Sequence, residues 1–172
     1  MEKIEWLDTY LTEAETLIMD GSVNDGLALM QNLLYEEPGY AALHNYLGWA
    51  YYYYAESEQK AETHWKWAIQ FDKELAPPYL HLGIYYKGKR KYSEAVEYLT
   101  AGLETPDAIR EALLETLAHV YELRGDYRKA VETYKSALAN CVGYQSEALM
   151  EGIKRCRKKK WALLFTAKPV RA

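Results

Sequence analysis

Residues 79–99 read YLHLGIYYKGKRKYSEAVEYL, and this stretch decides the fold. In its first part Leu82, Gly83 and Tyr86 are spaced so that all three share one face of an α-helix. In its second part Ala95 is followed after four residues by a leucine, which is again the spacing of one helical face. The stretch therefore predicts two short amphipathic helices joined by a brief connection.

The same pattern returns along the chain in a fixed register. In the first helix of each pair the recurring positions are Leu47, Leu82 and Leu117, then Gly48, Gly83 and Ala118, then Tyr51, Tyr86 and Tyr121. In the second helix they are Ala61 with Trp65, Ala95 with Leu99, and Ala130 with Tyr134. The first set recurs every 35 residues, and a constant period of this length indicates stacked helical hairpins.

A degraded copy of the unit precedes the first clear one. Gly26, Met30 and Pro38 repeat part of the pattern, and Ala14 and Leu17 stand where its first helix is expected. A terminal repeat has one face in water, so it needs fewer of the apolar positions.

The spacing predicts helices throughout the chain. They cover residues 3–20 and 24–36, 40–55 and 58–72, 76–88 and 92–104, 108–123 and 127–140, and finally 146–165. Gly21, Gly88 and Gly125 lie between paired helices, where a left-handed residue that ends a helix is commonly glycine. On the last helix we expect Leu149, Ile153 and Cys156 to pack on the preceding hairpin.

With these motifs the chain resembles the tetratricopeptide repeat (TPR) family over about residues 7–142. The positions that match the family motif in the third unit are Tyr79, Leu82, Gly83, Tyr86, Ala95, Leu99 and, one residue early, Pro106. The resemblance implies an all-α, right-handed superhelical stack of antiparallel helix pairs, a TPR-like α-solenoid. We expect about four repeats in residues 1–142, the first degenerate, a capping helix in 143–167 and a tail in 168–172.

The resemblance also implies that the first helix of each pair lines a concave groove. The residues it places there are Asn45, Tyr46, Trp49, Tyr52, Tyr53, Leu80, His81, Ile84, Lys87, Glu115, Thr116, His119 and Glu122. Tyrosine and tryptophan offer a large apolar area with a polar edge, which suits peptide binding. Several tyrosines are alternatively core residues. However, successive helical residues lie about 100° apart, so Tyr51, Tyr52 and Tyr53 cannot all face one core.

Some members of the family hold a C-terminal carboxylate with a clamp of Lys, Arg and Asn in this groove. Asn45 resembles part of such a clamp, but Tyr46, Trp49, Leu80 and His81 stand where more polar or basic residues are needed. We therefore expect no clamp.

Motifs of catalysis, phosphate binding and metal binding are missing from the sequence. It contains no GxSxG, GxGxxG, P-loop, HExxH, CxxC or EF-hand pattern. We therefore expect no enzyme activity, no cofactor and no metal site.

Charge is distributed unevenly along the chain. Residues 1–86 carry 4 basic and 14 acidic side chains, a net charge of −10, while residues 87–172 carry 17 and 11, a net of +6. Such a split can steer contact between copies, although both faces are alternatively just solvated. The two cysteines, the acidic start and the lack of a transmembrane segment favour a cytoplasmic protein.

The C-terminal segment is a second functional candidate. Four lysines and two arginines in residues 154–160 precede Trp161, Leu163 and Leu164. Such a segment can bind a membrane surface, an acidic partner or nucleic acid. Alternatively it is a capping helix that packs Trp161 and Leu164 and leaves its lysines in water. Because the rest of the chain is acidic, we expect no nucleic-acid binding.

The sequence thus favours a non-catalytic scaffold that holds a peptide or helix of another protein in an aromatic groove. The alternative is a self-assembling, homodimeric structural protein that uses the aromatic surface or the C-terminal helix. A further alternative is a small secretion-type chaperone.

Overall fold

The computed structural model describes residues 2–141 and 146–166. Every regular element in this part of the chain is an α-helix: α1 (Glu2–Met19), α2 (Val23–Glu36), α3 (Ala41–Tyr53), α4 (Glu58–Phe71), α5 (Pro77–Gly88), α6 (Tyr92–Leu103), α7 (Arg110–Arg124), α8 (Tyr127–Asn140) and α9 (Ser146–Thr166). The all-α, TPR-like stack of helix pairs predicted from the repeat is confirmed. The predicted boundaries of the capping helix and the tail, at residues 143 and 168, lie outside the described residues.

The chain divides into two compact units within α5. The N-terminal unit comprises Met1–His81 and the C-terminal unit comprises Leu82–Ala172. In the first unit α1 pairs with α2 and α3 with α4, and in the second α7 packs on α6 and α8. The last helix, α9, packs chiefly on α8 and also contacts α7.

Small residues bring the paired helices close together, as the repeat predicts. A Cβ atom on Gly48 would overlap the Trp65 indole, and one on Gly83 would overlap the Leu99 side chain. Trp65 is only 1% exposed, and the close packing around its ring prevents it from moving aside. Glycine is therefore a steric requirement at positions 48 and 83, whereas the third unit accommodates the buried Ala118 there.

Residues in the left-handed backbone conformation lie in the connections between paired helices. Gly21 (φ 93°) and Gly125 (φ 87°) take this conformation as predicted, but the prediction for Gly88 is wrong. The left-handed residue of that connection is Arg90 (φ 58°), because the turn closes two residues later. The Lys91 amide donates to the Tyr86 carbonyl at 2.9 Å, just as Asp126 N donates to Tyr121 O at 2.9 Å.

The C-terminal helix is part of the core of its unit. Leu149, Ile153 and Cys156 are buried against α8, as predicted. Gly152 lies so close to Tyr134 that a Cβ atom would approach the ring to 2.8 Å. The capping helix thus uses the same close approach of a small residue and a bulky ring as the repeats.

Candidate protein-interaction site

A cleft in the C-terminal unit brings four of the predicted groove residues together. Lys87 comes from the end of α5, and Glu115, Thr116 and His119 come from one face of α7. The cleft has a volume of about 340 Å³. Its remaining lining residues are Tyr134, Ala148, Glu151 and Arg155. The sequence predicted the α5 and α7 sides of this cleft and missed the side that α9 supplies.

The electrostatics of the cleft favour a polar or charged ligand group beside Lys87. Burial lowers the pKa of the Lys87 ammonium, and the nearby Glu115 carboxylate opposes this effect. Within the described residues Lys87 has no carboxylate at ion-pair distance. Burial, followed by the charge of Lys87, lowers the pKa of His119. His119 is therefore neutral near pH 7, with one ring nitrogen able to donate a hydrogen bond and the other able to accept one.

The α9 side of the cleft is held in place by Glu122 on α7. The Glu122 side chain is 4% exposed and receives two hydrogen bonds from Arg155, at 2.7 and 2.6 Å. Lys159 Nζ donates to the same carboxylate at 2.9 Å, and the Tyr134 hydroxyl donates to it at 3.2 Å. The Arg155 and Lys159 hydrogen bonds hold the pKa of Glu122 at about 2, against the opposing effect of burial.

The structure thus places Glu122 in the interior, where its carboxylate is fully occupied by the chain's own groups. A signal for this was present in the sequence. Glu122 follows the buried Ala118 by four residues and so lies on the inward stripe of α7. A carboxylate on such a stripe requires cationic partners, and the basic residues of α9 supply them.

The predicted residues of the N-terminal unit form an aromatic face on α3. Tyr53 is 50% exposed and Tyr52 is partly exposed, whereas Tyr51 is 6% exposed, so the three tyrosines face different directions as expected. The Trp49 ring lies 4.9 Å from the ring of Tyr54. This face therefore offers exposed ring surface to a partner.

Acidic residues of α1 lie beside this face. The Tyr40 hydroxyl donates to Asp8 Oδ1 at 2.6 Å. Burial, together with the charges of Glu15 and Asp8, raises the pKa of the Tyr46 hydroxyl. Tyr46 therefore stays protonated and able to donate a hydrogen bond near this acidic patch.

Other predicted groove residues are partly buried. Leu80 and Ile84 keep some exposure, in the N-terminal and the C-terminal unit respectively. Asn45 Oδ1 is buried and has no hydrogen-bond partner. The His81 ring stacks on Trp65 with the ring centres 5.2 Å apart, and burial lowers its pKa to about 4.

Two other histidines form a buried pair in the N-terminal unit. Their Nδ1 atoms, on His44 and His64, lie 3.0 Å apart, and His44 Nε2 lies 2.9 Å from the Pro38 carbonyl. Because the carbonyl can only accept, His44 carries its proton on Nε2, and His64 donates from Nδ1. Burial and the charges of His44 and Lys60 lower the pKa of His64 to about 4.

The described part of the chain brings no three His, Cys, Asp or Glu side chains together as metal ligands. None of its helices is long and apolar enough to cross a membrane.

These features define the class of helical-repeat proteins, in which paired helices together form the clefts. In comparison with known families, residues 113–145 match the model of the tetratricopeptide repeat. The predicted resemblance to this family is confirmed. A tetratricopeptide fold implies a scaffold for protein–protein contacts, and the family is in general non-catalytic. No curated protein matches the chain.

Solved structures share the fold at low sequence identity. The Pseudomonas aeruginosa pilF protein is 15% identical, with a TM-score of 0.82 over 95% of this chain and 73% of its own. The MamA protein is 23% identical, with a TM-score of 0.66 over 77% of this chain and 71% of its own. A thermophilic TPR protein of Thermus thermophilus is 21% identical, with a TM-score of 0.63 over 88% of this chain and 80% of its own.

Proposed function

We propose that this chain is a non-catalytic scaffold that binds a peptide or helix of another protein, and that Lys87 and His119 help to orient it. The observation that carries the proposal is the cleft in which Lys87, Glu115, Thr116 and His119 meet. A preformed cleft lowers the ordering cost of binding on the protein's side.

The chemistry of the cleft sets the kind of segment that fits. Lys87 is half-buried and attracts an acidic or carbonyl oxygen, while the Thr116 hydroxyl and neutral His119 supply hydrogen bonds. The negative charge of Glu115 repels a second negative group of the ligand in the same cleft. The expected segment therefore places one oxygen-bearing group at Lys87. The aliphatic part of the same side chain packs on Ala148.

The aromatic face of α3 contributes contacts of the same kind in the N-terminal unit. Tyr46, Trp49 and Tyr53 keep ring surface accessible, and ring surface is what anchors short peptides to interaction domains. We assign this face apolar anchoring within the N-terminal unit, taken by itself. The cleft gives no specific support to the chaperone alternative, which stays a prediction.

Peptide selection tests this proposal. Peptides are selected from a random displayed library on the intact chain, and their affinities are measured by fluorescence anisotropy. Lys87→Ala and His119→Ala should each weaken the selected peptides by about tenfold, as expected for loss of a charge-assisted or a buried hydrogen bond. Lys158→Ala, an exposed lysine on α9 outside the cleft, is the matched control. Affinities that both cleft variants leave unchanged would reject the site.

A further inference from the structure

A second cleft lies on the other side of α9, against α8. It has a volume of about 420 Å³, and its apolar part is made by Tyr127, Val131 and Trp161. Trp161 is 61% exposed, so it is not buried as the capping-helix alternative expects. The side chain of Leu164 lies outside the described residues. A large exposed ring beside an apolar cleft indicates a contact surface.

The rim of this cleft is cationic. Lys135, Arg157 and Lys160 line it, together with the Arg128–Glu132 ion pair. Arg155 and Arg157 are two residues apart, about 200° around the helix, so they serve opposite faces. Arg155 and Lys159 face inward to Glu122, whereas Arg157 and Lys160 remain for a partner.

The chain itself carries a segment of complementary chemistry. Tyr35, near the end of α2, is 92% exposed and is followed directly by Glu36 and Glu37. An aromatic ring followed by two carboxylates matches an apolar cleft rimmed by lysine and arginine. Residues 1–86 carry a net charge of −10 and residues 87–172 a net charge of +6, so the N-terminal part of one copy is attracted to the C-terminal part of another.

We propose that the cleft between α8 and α9 binds the end of α2 of a second copy of this chain. Tyr35 of one copy inserts between Tyr127 and Trp161 of the next, and its exposed Glu36, with the charge of Glu37 beside it, faces Lys135 and Lys160. Because the two surfaces differ and every copy carries both, the contact joins copies either in a row or reciprocally. This contact leaves the Lys87 cleft on the other face of α9 open.

Sedimentation velocity over a dilution series tests the contact. The intact chain should form larger species as its concentration rises, and high salt should shift this equilibrium toward the monomer. Tyr35→Ala and Trp161→Ala should each weaken association by at least about tenfold, as expected for hot-spot aromatic residues. Lys158→Glu, on the same helix but outside the cleft, should change association much less than Lys160→Glu.

Charge exchange makes the test specific to the two surfaces. Glu36→Lys/Glu37→Lys and Lys135→Glu/Lys160→Glu each place like charges opposite each other, so each variant alone should be monomeric. In an equimolar mixture every contact joins opposite charges again, and association should return.

Three results would overturn the proposal. The first is a chain that stays monomeric at every concentration. The second is a mixture of the two charge variants that fails to associate. The third is a monomer that instead floats with vesicles containing anionic phosphatidylserine, which would assign the cationic rim to a membrane surface.

Discussion

The Arg155 guanidinium meets the buried Glu122 carboxylate with two parallel hydrogen bonds, of 2.7 and 2.6 Å. This pair joins α7 to α9 across 33 residues of sequence. It therefore fixes the C-terminal helix on the last repeat, and with it one wall of the cleft that contains Lys87.

Removing the Glu122 carboxylate should destabilise the C-terminal unit strongly. Glu122→Gln removes the carboxylate that accepts from Arg155 and Lys159, and because these two cations are themselves about half exposed, the cost is that of the lost charge-assisted hydrogen bonds, about 1–3 kcal/mol. The measurement is the free energy of unfolding from denaturant titration. Glu151→Gln removes the exposed Glu151–Lys154 pair of the same helix and serves as the control, since such pairs contribute little. Equal stability losses for the two variants would contradict the assigned role.

Acid should reduce stability in two successive pH ranges, first through His64 and then through Glu122. The folded pKa of His64 is lowered from 6.5 to about 4, so the unfolded state binds more protons and the free energy of unfolding falls as the pH drops from about 6.5 to 4. The pKa of Glu122 is lowered from 4.5 to about 2, so its contribution is lost below pH 4.5.

Stability curves measured across pH for the wild type and His64→Gln separate these effects. The variant should show a smaller slope between pH 6.5 and 4, since His44, His81 and His119 still contribute there. It should keep the slope below pH 4.5 that arises from Glu122. A wild-type slope between pH 6.5 and 4 in this variant would show that the His44–His64 pair does not control acid stability.

Two turn glycines should respond differently to alanine. A Cβ atom at Gly88 meets no atom within 4 Å, and its φ angle is not positive, so Gly88→Ala should be neutral or stabilising by up to about 1 kcal/mol. Gly125 has φ 87°, so Gly125→Ala should cost about 1 kcal/mol. Thermal melts of the two variants check this difference. A larger loss at Gly88 than at Gly125 would contradict the turn geometry.

The close approach of α3 and α4 should make Gly48 intolerant of any side chain. Gly48→Ala drives a methyl group into the Trp65 ring, and such overpacking costs about 1–3 kcal/mol. Gly39→Ala is the matched control in the same unit, because its nearest neighbour, Phe71, lies at an ordinary 3.6 Å. Denaturant unfolding that ranks the two variants the other way would refute the steric argument.

Most of the fold was predictable because each hairpin depends on local spacing. A small residue such as Gly83, placed on one helix face with Leu82 and Tyr86, requires a partner helix at close distance, and this requirement recurs with the repeat. Helix ends were less accurate where the turn used a non-glycine residue. Arg90 and Glu56 both adopt positive φ, and neither residue type signals it.

The candidate site was only half predictable. Lys87 and His119 follow from the helix faces of the repeat, but Arg155 comes from a helix outside it. The basic residues of α9 look alike in sequence. Their division into an inward pair on Glu122 and an outward rim beside Trp161 depends on which face of α9 packs on α8, and this is a matter of tertiary contact.

Hydrogen–deuterium exchange with a selected peptide tests the central claim most directly. Amide exchange is followed with and without a peptide obtained from the displayed library. If the Lys87 cleft is the binding site, protection should concentrate at the end of α5 and in α7 and α9, and should vanish in Lys87→Ala/His119→Ala. Protection that leaves these helices unchanged, or that persists in the double variant, would contradict the account.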